Sequence, residues 1–569
     1  MEAGKRSISD ILNGARVLEI PFFQRSYVWE DQQWDRFISD MESISASNKP
    51  YFLGSIILKL QDTKASHGIG DKRTVIDGQQ RLTTLSLLLK VISLKTSDND
   101  PADIFRLRIK TKELALLHNR NDIEVFTKIQ NLNVTDKLTD QNNVAKAFNY
   151  FLDNVDISKI DYQKILNNVM FVGVDLGPEE DEQQIFDTIN SLGVTLTTSE
   201  LLKNYFFSRN DVQEYIKYWQ DVFEKDNECR KFWDTEITTG RYPRSLQDIF
   251  FYAFLQIKIQ EPQLAVKTED KVNYGKVEGL FESYKDLIKK YNLSKKDLIK
   301  EIKEYAIIFM DNFNPDVVDE ELPKDFGIER INALIFGLEN ATLIPYILFI
   351  LKHVNDDQEQ NLIFEYLESY IMRRMICHAN TKNYNQLFSE RLINNAIISY
   401  GQLKDYISKK SDKVNYMPSN NEVVNGFNES KLINKQSLGV LYFIETKIRN
   451  RQFHSTALHG INGYSLEHIM PKKWENHWQH PSTDSEVIER NRLLLTLGNL
   501  TLITSSLNSS IRDNVWEVKL AGNGKHSGYN TYAAEIDTFN QYLSSPKWDE
   551  KKIKERASFL ASHAISIWK

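Results

Sequence analysis

Two short apolar segments near the C-terminus each end in polar residues, and they constrain the fold of this region most strongly. Residues 465–471 read Ser-Leu-Glu-His-Ile-Met-Pro, and residues 497–501 read Leu-Gly-Asn-Leu-Thr. A further asparagine, Asn508, follows the second segment. Short apolar runs bounded by glycine and proline are typical of β-strands. The pattern therefore predicts two strands and a helix that together gather an acidic residue, a histidine and two asparagines.

These residue types suit the hydrolysis of a phosphodiester, which needs an activated water and a cation on the phosphate oxygens. We predict His468 as the general base, because a neutral imidazole with a pKa near 6.5 accepts a proton at cellular pH. Mg²⁺-like cations prefer oxygen ligands, so Glu467 and Asn508 are the predicted metal ligands. Asn499 is predicted to brace the loop that presents His468. The predicted catalytic residues are therefore His468, Asn499 and Asn508, in the layout of an HNH (ββα-metal) nuclease.

Positive charge is concentrated in the same region. Residues 431–569 contain 18 Lys/Arg against 13 Asp/Glu, although the whole chain has a net charge of −7. Phosphate binding follows local rather than total charge. Arg512 and Lys519 follow the second segment, and we expect both to face phosphates. A chance imbalance would give the same count, so charge alone does not establish a DNA-binding surface.

A second group of motifs lies near the N-terminus. Residues 20–29 read Ile-Pro-Phe-Phe-Gln-Arg-Ser-Tyr-Val-Trp, in which the proline and the aromatic residues can anchor the segment. Gln24 and Arg25 would then present an amide and a guanidinium group, which suit phosphates or base edges. Tyr27 lies beside them. This segment is predicted to form one wall of a binding site.

The sequence Asp-Gly-Gln-Gln-Arg at residues 77–81 stands between a predicted strand and a predicted helix. The N-terminus of a helix favours phosphates, and a glycine there allows a ligand to approach the backbone. No Walker motif occurs in the chain. A purely structural alternative has Asp77 capping the helix and Arg81 in an internal ion pair. The predicted nucleotide-binding residues are Asp77, Gly78, Gln79, Gln80 and Arg81, with Gln24, Arg25 and Tyr27 close by.

The length of 569 residues predicts about three domains. Residues 1–210 mix strands, such as Tyr51–Leu60, with helices. Residues 211–430 are strongly helical in pattern, with a kink expected at Pro345. A linker is expected at residues 412–430, which are rich in Asn, Ser and Lys, and residues 431–569 follow as the nuclease domain. The predicted fold class is multidomain α+β.

Composition excludes several classes of protein. No run of about 18 apolar residues occurs, so no membrane-spanning segment is predicted. The only two cysteines, Cys229 and Cys377, lie far apart and form no C-x-x-C pair. Disulfides and a cysteine-ligated zinc are therefore not expected, and a reducing cytoplasm is the predicted location.

The motifs at both ends resemble those of the GmrSD-type restriction endonucleases. Glu-His-Ile-x-Pro at 467–471 and Gly-Asn-Leu-Thr-Leu at 498–502 match the hallmark of the C-terminal nuclease domain of that family. The motifs at 20–29 and 77–81 are similar to the N-terminal domain of the same family and of SspE-type phage-defence proteins. That domain is related in fold to ParB and sulfiredoxin. A third family element corresponds to residues 186–196, with Asn190 and then Lys203 as further candidate site residues after a capping box at 197–200.

The resemblance implies a modification-dependent (type IV) antiphage restriction enzyme. Its ParB/sulfiredoxin-like N-terminal domain would bind and hydrolyse a nucleoside triphosphate (GTP, UTP, CTP or ATP) and take part in sensing modified phage DNA. Its HNH domain, with Mg²⁺ or another divalent metal, would nick or cut the DNA. One HNH site cuts one strand at a time, so a double-strand break would need two protomers, as in a homodimer, or two visits.

Two alternatives remain open at this point. One is an HNH nickase that does not depend on a nucleotide and whose N-terminal domain only binds DNA. The other is a ParB-like DNA-binding protein that is switched by a nucleoside triphosphate and carries an inactive nuclease. The intact set of Glu467, His468, Asn499 and Asn508 argues against the second.

Overall fold

The computed structural model describes most of the chain as two compact units, Met1–Asp221 and Val222–Lys569. The predicted boundary at residue 210 lies near the end of the first unit, and the one at residue 430 lies within the second. The described residues are 2–569 except 13–14, 23, 48, 62–70, 108–112, 120, 178–196, 208–210, 240–241, 277–278, 410–413, 430–431, 451–453, 455–456, 505–512, 523–526 and 533–534.

A mixed six-stranded sheet organises the described part of the first unit. Its order is β1-β6-β3-β4-β2-β5. The β1/β6 and β3/β4 pairs are antiparallel, whereas β6/β3, β4/β2 and β2/β5 are parallel. The strands are β1 (Glu2–Ser7), β2 (Arg16–Glu19), β3 (Tyr51–Leu60), β4 (Asp71–Asp77), β5 (Leu116–Leu117) and β6 (Val169–Leu176).

Helices cover one face of this sheet, and the central one is buried on almost every side. Helix α3 begins directly after Gly78 and packs against α5 and α6. The helices are α1 (Ile8–Ile11), α2 (Asp31–Ala46), α3 (Gln79–Thr96), α4 (Asp100–Asp103), α5 (Ile123–Gln130), α6 (Asn143–Asn154), α7 (Tyr162–Asn168), α8 (Thr198–Phe206) and α9 (Val212–Tyr215). A 3₁₀ turn spans Ile157–Lys159, and a π-helical segment spans Ile216–Gln220.

The predicted strand–strand–helix arrangement in this unit is confirmed. Strand β3 has the predicted bounds, and β4 and α3 follow it as expected. The apolar residues 170–176 predict a buried strand, and β6 lies there, but its burial alternates, with Phe171 buried and Val172 exposed. The alternation follows from the pleat of a strand that has only one face against the core.

The second unit is mostly helical. Its helices are α10 (Asp221–Phe223), which overlaps the boundary, α11 (Asn227–Asp234), α12 (Leu246–Lys258), α13 (Thr268–Tyr274), α14 (Leu280–Lys290), α15 (Lys295–Asn312), α16 (Ile328–Asn332), α17 (Ile344–His353), α18 (Asp357–Ile376), α19 (Tyr384–Gln386), α20 (Leu392–Asn394), α21 (Tyr400–Ser408), α22 (Asn420–Glu429), α23 (Asn434–Ile448), α24 (Asp484–Leu493), α25 (Trp516–Ala521), α26 (Tyr529–Tyr532) and α27 (Glu550–Ile567). π-helical segments span Ala333–Gly337 and Leu387–Arg391. Short 3₁₀ turns span Pro262–Leu264, Pro315–Asp319, Ala341–Leu343, Ile461–Gly463, Trp474–Asn476, Leu497–Asn499 and Asn540–Tyr542.

Two antiparallel strand pairs complete the described part of this unit. Strands β7 (Glu236–Thr239) and β8 (Tyr242–Ser245) form one pair. Strands β9 (Tyr464–His468) and β10 (Leu500–Thr504) form the other, at the two apolar segments that the sequence predicts as strands.

The C-terminal helix joins the nuclease region to the helical region. Arg373 Nε in α18 donates to the Trp568 carbonyl at 2.6 Å, and Trp568 Nε1 donates to Glu368 Oε1 at 2.9 Å. Arg330 forms a fully buried ion pair with the same Glu368 carboxylate. These contacts explain why residues on both sides of position 430 fold as one unit.

Two sequence predictions in this unit are wrong. Pro345 does not kink a long helix; it lies in the first turn of α17, where a missing N–H costs nothing. Residues 412–430 are not simply a linker, because residues 420–429 form α22, which packs on α27 and buries Val423 and Phe427. The polar composition of that segment reflects its exposed face.

Among the described residues, none of the helices combines the length and the apolar character needed to cross a membrane.

Candidate functional site

Strands β9 and β10 place Glu467, His468 and Asn499 at one end of a strand pair, referred to below as the hairpin. Glu467 lies opposite Thr501, and His468 lies opposite Leu500. Successive residues of a strand point to opposite faces, so Glu467 and Thr501 share one face, and His468 projects to the other. In the described part of the chain the next helix after β10 is α25, and Asn508 lies outside the described residues, so the strand–strand–helix motif stays a prediction.

Asn499 braces the segment that follows His468. Its side chain is fully buried; Oδ1 accepts from the Met470 N–H at 2.9 Å, and Nδ2 donates to the Met470 carbonyl at 2.8 Å. The Asn499 carbonyl accepts from the Ile469 N–H at 2.9 Å. Asn499 thus holds the backbone after the histidine by three hydrogen bonds. Because its side chain is buried, it is out of reach of a substrate.

Two buried side chains from far along the chain complete this brace, and sequence reasoning missed both. Trp548 Nε1 donates to Asn499 Oδ1 at 3.0 Å. Arg556 in α27 is fully buried, and its Nη1 donates to the carbonyls of Gly498 at 3.0 Å and Leu500 at 2.6 Å. Sequence spacing gives no signal for these contacts, because they arise only when α27 packs on the Gly-Asn-Leu turn.

The environment of His468 keeps its imidazole neutral. The side chain is partly buried at the end of β9. Burial, together with the nearby positive charges of Lys472 and Lys519, lowers the pKa of His468 to about 4. A neutral imidazole has a lone pair for a proton, as a general base requires.

Glu467 is held by two buried side chains on its own face of the hairpin. Lys519 Nζ lies 2.5 Å from Glu467 Oε1, and the Tyr529 hydroxyl donates to the same oxygen at 3.1 Å. Burial raises the pKa of Glu467 and lowers that of Lys519, and the contact between the two groups opposes both shifts. The prediction that Lys519 faces phosphates is wrong, because the side chain is fully buried against the hairpin. Its ammonium also donates to the His468 carbonyl at 2.9 Å.

The donors around Glu467 are compatible with a divalent cation. Oε1 carries two hydrogen bonds, and the His468 backbone contributes a further hydrogen bond to the carboxylate. The Thr501 hydroxyl, opposite Glu467, is buried and has no hydrogen-bond partner within the described part of the chain. The carboxylate and the hydroxyl supply oxygen atoms of the kind that Mg²⁺ prefers. The second predicted ligand, Asn508, lies outside the described residues, as does Arg512. No group of three or more His, Cys, Asp or Glu side chains suited to a metal occurs in the part described.

In the first unit, the two N-terminal motifs come together. Gln24 is buried, and its Nε2 donates to the carbonyls of Val75 at 2.9 Å and Ile76 at 3.2 Å, directly before Asp77. Gln80 Nε2 donates to the Ser26 carbonyl at 3.2 Å. The segment around Gln24 is therefore fixed against the start of α3.

Tyr27 and Gln80, two of the predicted nucleotide-binding residues, make internal contacts. Trp34 Nε1 donates to the Tyr27 hydroxyl at 2.9 Å, and Thr84 Oγ1 lies 2.7 Å from that hydroxyl. Gln80 Oε1 accepts from the Val28 N–H at 2.9 Å. Both side chains are buried, so they support the motif rather than face a ligand.

Asp77, Gly78 and Arg81 form a partly open group at the N-terminus of α3. Gly78 is the N-cap residue with φ of 98°, a conformation that favours glycine. Asp77 therefore does not cap the helix, and it accepts from the Ser55 hydroxyl at 2.7 Å. Arg81 Nη1 lies 3.8 Å from Asp77 Oδ2 and donates to the Ser55 carbonyl at 3.0 Å. Of the purely structural alternative, the ion pair between Asp77 and Arg81 is therefore present, whereas the helix cap by Asp77 is not. Gln79 is half-buried beside this group.

Two polar atoms beside this motif are buried without hydrogen-bond partners among the described residues, namely Gln24 Oε1 and Arg25 Nε. Arg25 Nε lies 4.0 Å from Glu200 Oε1, which brings α8 to the same region. The capping box predicted at residues 197–200 is confirmed. Lys203 is buried in α8, and Asn190 lies outside the described residues.

Comparison with protein families identifies both regions. Residues 8–207 match the N-terminal domain of the GmrSD restriction endonuclease, and residues 417–563 match the C-terminal domain of the GmrSD restriction endonucleases. The chain belongs to the GmrSD restriction endonuclease family. The comparison with curated proteins gives no match.

The two GmrSD matches coincide with the two candidate sites. The N-terminal match covers strands β2 to β6 of the mixed sheet, the Asp-Gly-Gln-Gln-Arg segment and α8. The C-terminal match begins just before α22 and contains the hairpin, α25 and nearly all of α27. The presence of both GmrSD domains in one chain indicates an endonuclease.

Proposed function

We propose that this GmrSD-family protein is a phage-defence endonuclease of the HNH type that hydrolyses DNA at the β9/β10 hairpin. The observation that carries the proposal is the arrangement of Glu467 and His468 at the end of β9, with a neutral imidazole and a backbone held by Asn499. His468 is the general base, and Glu467 with Asn508 would hold a divalent cation such as Mg²⁺.

The protein's own groups divide the work of hydrolysis. His468 takes a proton from the attacking water, which its imidazole can accept because burial and the nearby lysines keep it neutral. Asn499 fixes the backbone on which His468 stands, which limits the loss of alignment during attack. A bound divalent cation would supply positive charge to the phosphate oxygens.

We further propose that the N-terminal domain binds and hydrolyses a nucleoside triphosphate and thereby controls cleavage. The support lies in the N-terminus of α3, which has no side-chain cap among the described residues, the left-handed Gly78 and the partly exposed Arg81. Gln24 Oε1 and Arg25 Nε add to it, because both are buried without a hydrogen-bond partner in the part described. Unpaired buried polar atoms are costly, and a polar ligand would satisfy them. The resemblance to modification-dependent enzymes makes modified phage DNA the proposed substrate.

Cleavage of modified and unmodified phage DNA with Mg²⁺, with and without each of GTP, UTP, CTP and ATP, tests this function. His468→Ala and Arg81→Ala variants run alongside. We expect cleavage of modified DNA only, at a rate that a nucleotide changes, no cleavage by His468→Ala, and no nucleotide effect in Arg81→Ala. Equal cleavage of both DNAs without any nucleotide effect would support the proposed nuclease activity and contradict its proposed regulation.

One observation favours a second candidate function, a nickase that needs no nucleotide. The ion pair between Asp77 and Arg81 and the contacts of both with Ser55 give the motif a structural role of its own. In that case the N-terminal domain would only bind DNA. Nucleotide binding measured on the full chain separates the two, because the nickase would bind no triphosphate.

A further inference from the structure

The buried lysine beside the hairpin carries an inference that rests on the proposed nuclease function. Lys519 belongs to α25, and its ammonium contacts two groups of β9, the Glu467 carboxylate at 2.5 Å and the His468 carbonyl at 2.9 Å. Its side chain is fully buried, and that of Glu467 is 8% exposed. Neither charge can therefore be compensated by water.

A buried carboxylate without a counter-charge is costly, so Glu467 needs a cation even when no metal is bound. Lys519 supplies that charge at Oε1, and Tyr529 adds a hydrogen bond to the same oxygen. Both contacts turn Oε1 inward. Glu467 lies opposite Thr501, whose buried hydroxyl has no hydrogen-bond partner among the described residues.

We infer that Lys519 is the internal counter-ion of Glu467 and that it sets how much divalent metal the site requires. A metal that binds the Glu467 carboxylate enters a site whose negative charge Lys519 already balances, so repulsion between the two cations weakens its binding. The same lysine holds the His468 carbonyl, so it also aligns the base. Lys519 is a positioning residue with two separable effects, one on metal affinity and one on the rate at saturating metal.

Two substitutions separate the charge of Lys519 from its hydrogen bonds. Lys519→Gln removes the charge and keeps an N–H donor, whereas Lys519→Met removes both. We expect both variants to bind Mn²⁺ at least about tenfold more tightly than the wild type, because a neighbouring positive charge is lost. We expect Lys519→Met to cut more slowly than the wild type at saturating Mn²⁺, because the His468 carbonyl loses its donor. Lys519→Arg keeps the charge and should retain about the wild-type affinity.

Tighter Mn²⁺ binding together with slower cleavage distinguishes a positioning role from general loss of structure. A merely damaged site would bind the metal less tightly and also cut more slowly. The exposed Lys473, in the same region, provides the matched control. Lys473→Gln removes a positive charge at an exposed position and should leave both the Mn²⁺ affinity and the cleavage rate unchanged. If Lys519→Met does not fold, Lys519→Gln retains a partner for Oε1 and carries the affinity test alone.

Mn²⁺ binding to the full chain without DNA, followed by electron paramagnetic resonance, is the decisive measurement. Tighter binding in Lys519→Gln, together with loss of binding in Glu467→Gln, supports the inference. Unchanged or weaker binding in Lys519→Gln, with binding still lost in Glu467→Gln, overturns the inference and retains the metal site. Absence of Mn²⁺ binding and of DNA cleavage in the wild type would instead overturn the proposed nuclease function, and the inference with it.

Discussion

Asn499 holds Met470 by both of its backbone groups, accepting from the N–H at 2.9 Å and donating to the carbonyl at 2.8 Å. The Asn499 amide thus bonds to Met470 as the backbone of a paired strand would, and it extends the pairing of β9 and β10 beyond the last residue of β9. It fixes the direction of the chain directly after His468. The Gly-Asn-Leu turn is therefore a structural support for His468, the proposed general base.

Replacement of Asn499 by alanine should destabilise the second unit and slow cleavage. The change leaves the Met470 backbone groups and Trp548 Nε1 buried without partners, at a cost of about 3 kcal/mol or more. Thermal unfolding and DNA cleavage measure the two effects. The exposed Asn491, whose Oδ1 accepts from Trp474 Nε1, is the matched control, and Asn491→Ala should have a much smaller effect. Equal effects at both positions would argue against the brace.

Replacement of Gly498 by alanine should also destabilise this region. A Cβ atom there would overlap the Ile553 carbonyl and lie 2.9 Å from Ala557 Cβ, both in α27. Displacing a packed helix costs about 1–3 kcal/mol. Gly401 is the contrasting position, because a Cβ atom there meets nothing within 4 Å. Gly401→Ala should leave stability unchanged or raise it by up to about 1 kcal/mol. Unfolding in denaturant compares the two, and a neutral Gly498→Ala would contradict this packing.

The first unit should lose stability in acid because of one buried histidine. Burial lowers the pKa of His118 to about 3, below its ordinary value of 6.5. The unfolded chain therefore takes up this proton first. The stabilising contribution is complete above pH 6.5 and falls as the pH decreases towards 3, by about 1.4 kcal/mol per pH unit at most. His118→Gln, which can still bond Thr83, should flatten this dependence. Hydrogen exchange of residues 1–221 at several pH values checks it; an unchanged profile would contradict it.

Arg81 should matter for nucleotide binding more than for folding. Its guanidinium is partly exposed and forms an ion pair with Asp77 at 3.8 Å, and such pairs contribute about 1 kcal/mol or less. Arg81→Ala should therefore weaken triphosphate binding about tenfold or more while the protein stays folded. The exposed Arg36 in α2 provides the control, and Arg36→Ala should change neither property. Equal triphosphate affinity in both variants would remove Arg81 from the site.

The sequence predicted those parts of the site that depend on local pattern. Strand β3, helix α3 and the hairpin follow from apolar runs bounded by turn residues, and the bracing role of Asn499 follows from its turn. Lys519 was misjudged, because a lysine on a short helix is usually exposed and only the packing of α25 on β9 buries it. Arg556 and Trp548 could not be foreseen, since they reach the turn from far along the chain. Pro345 shows that a proline within an apolar run can begin a helix instead of bending one.

The central claim is that one chain contains two separate active sites, and a single variant tests it most directly. His468→Ala removes the base and keeps every contact of the N-terminal motif, so it should abolish DNA cleavage and leave nucleoside triphosphate hydrolysis at the wild-type rate. Both activities are measured on the same preparation of the folded full chain. Loss of both activities, or continued cleavage of DNA, would contradict the account.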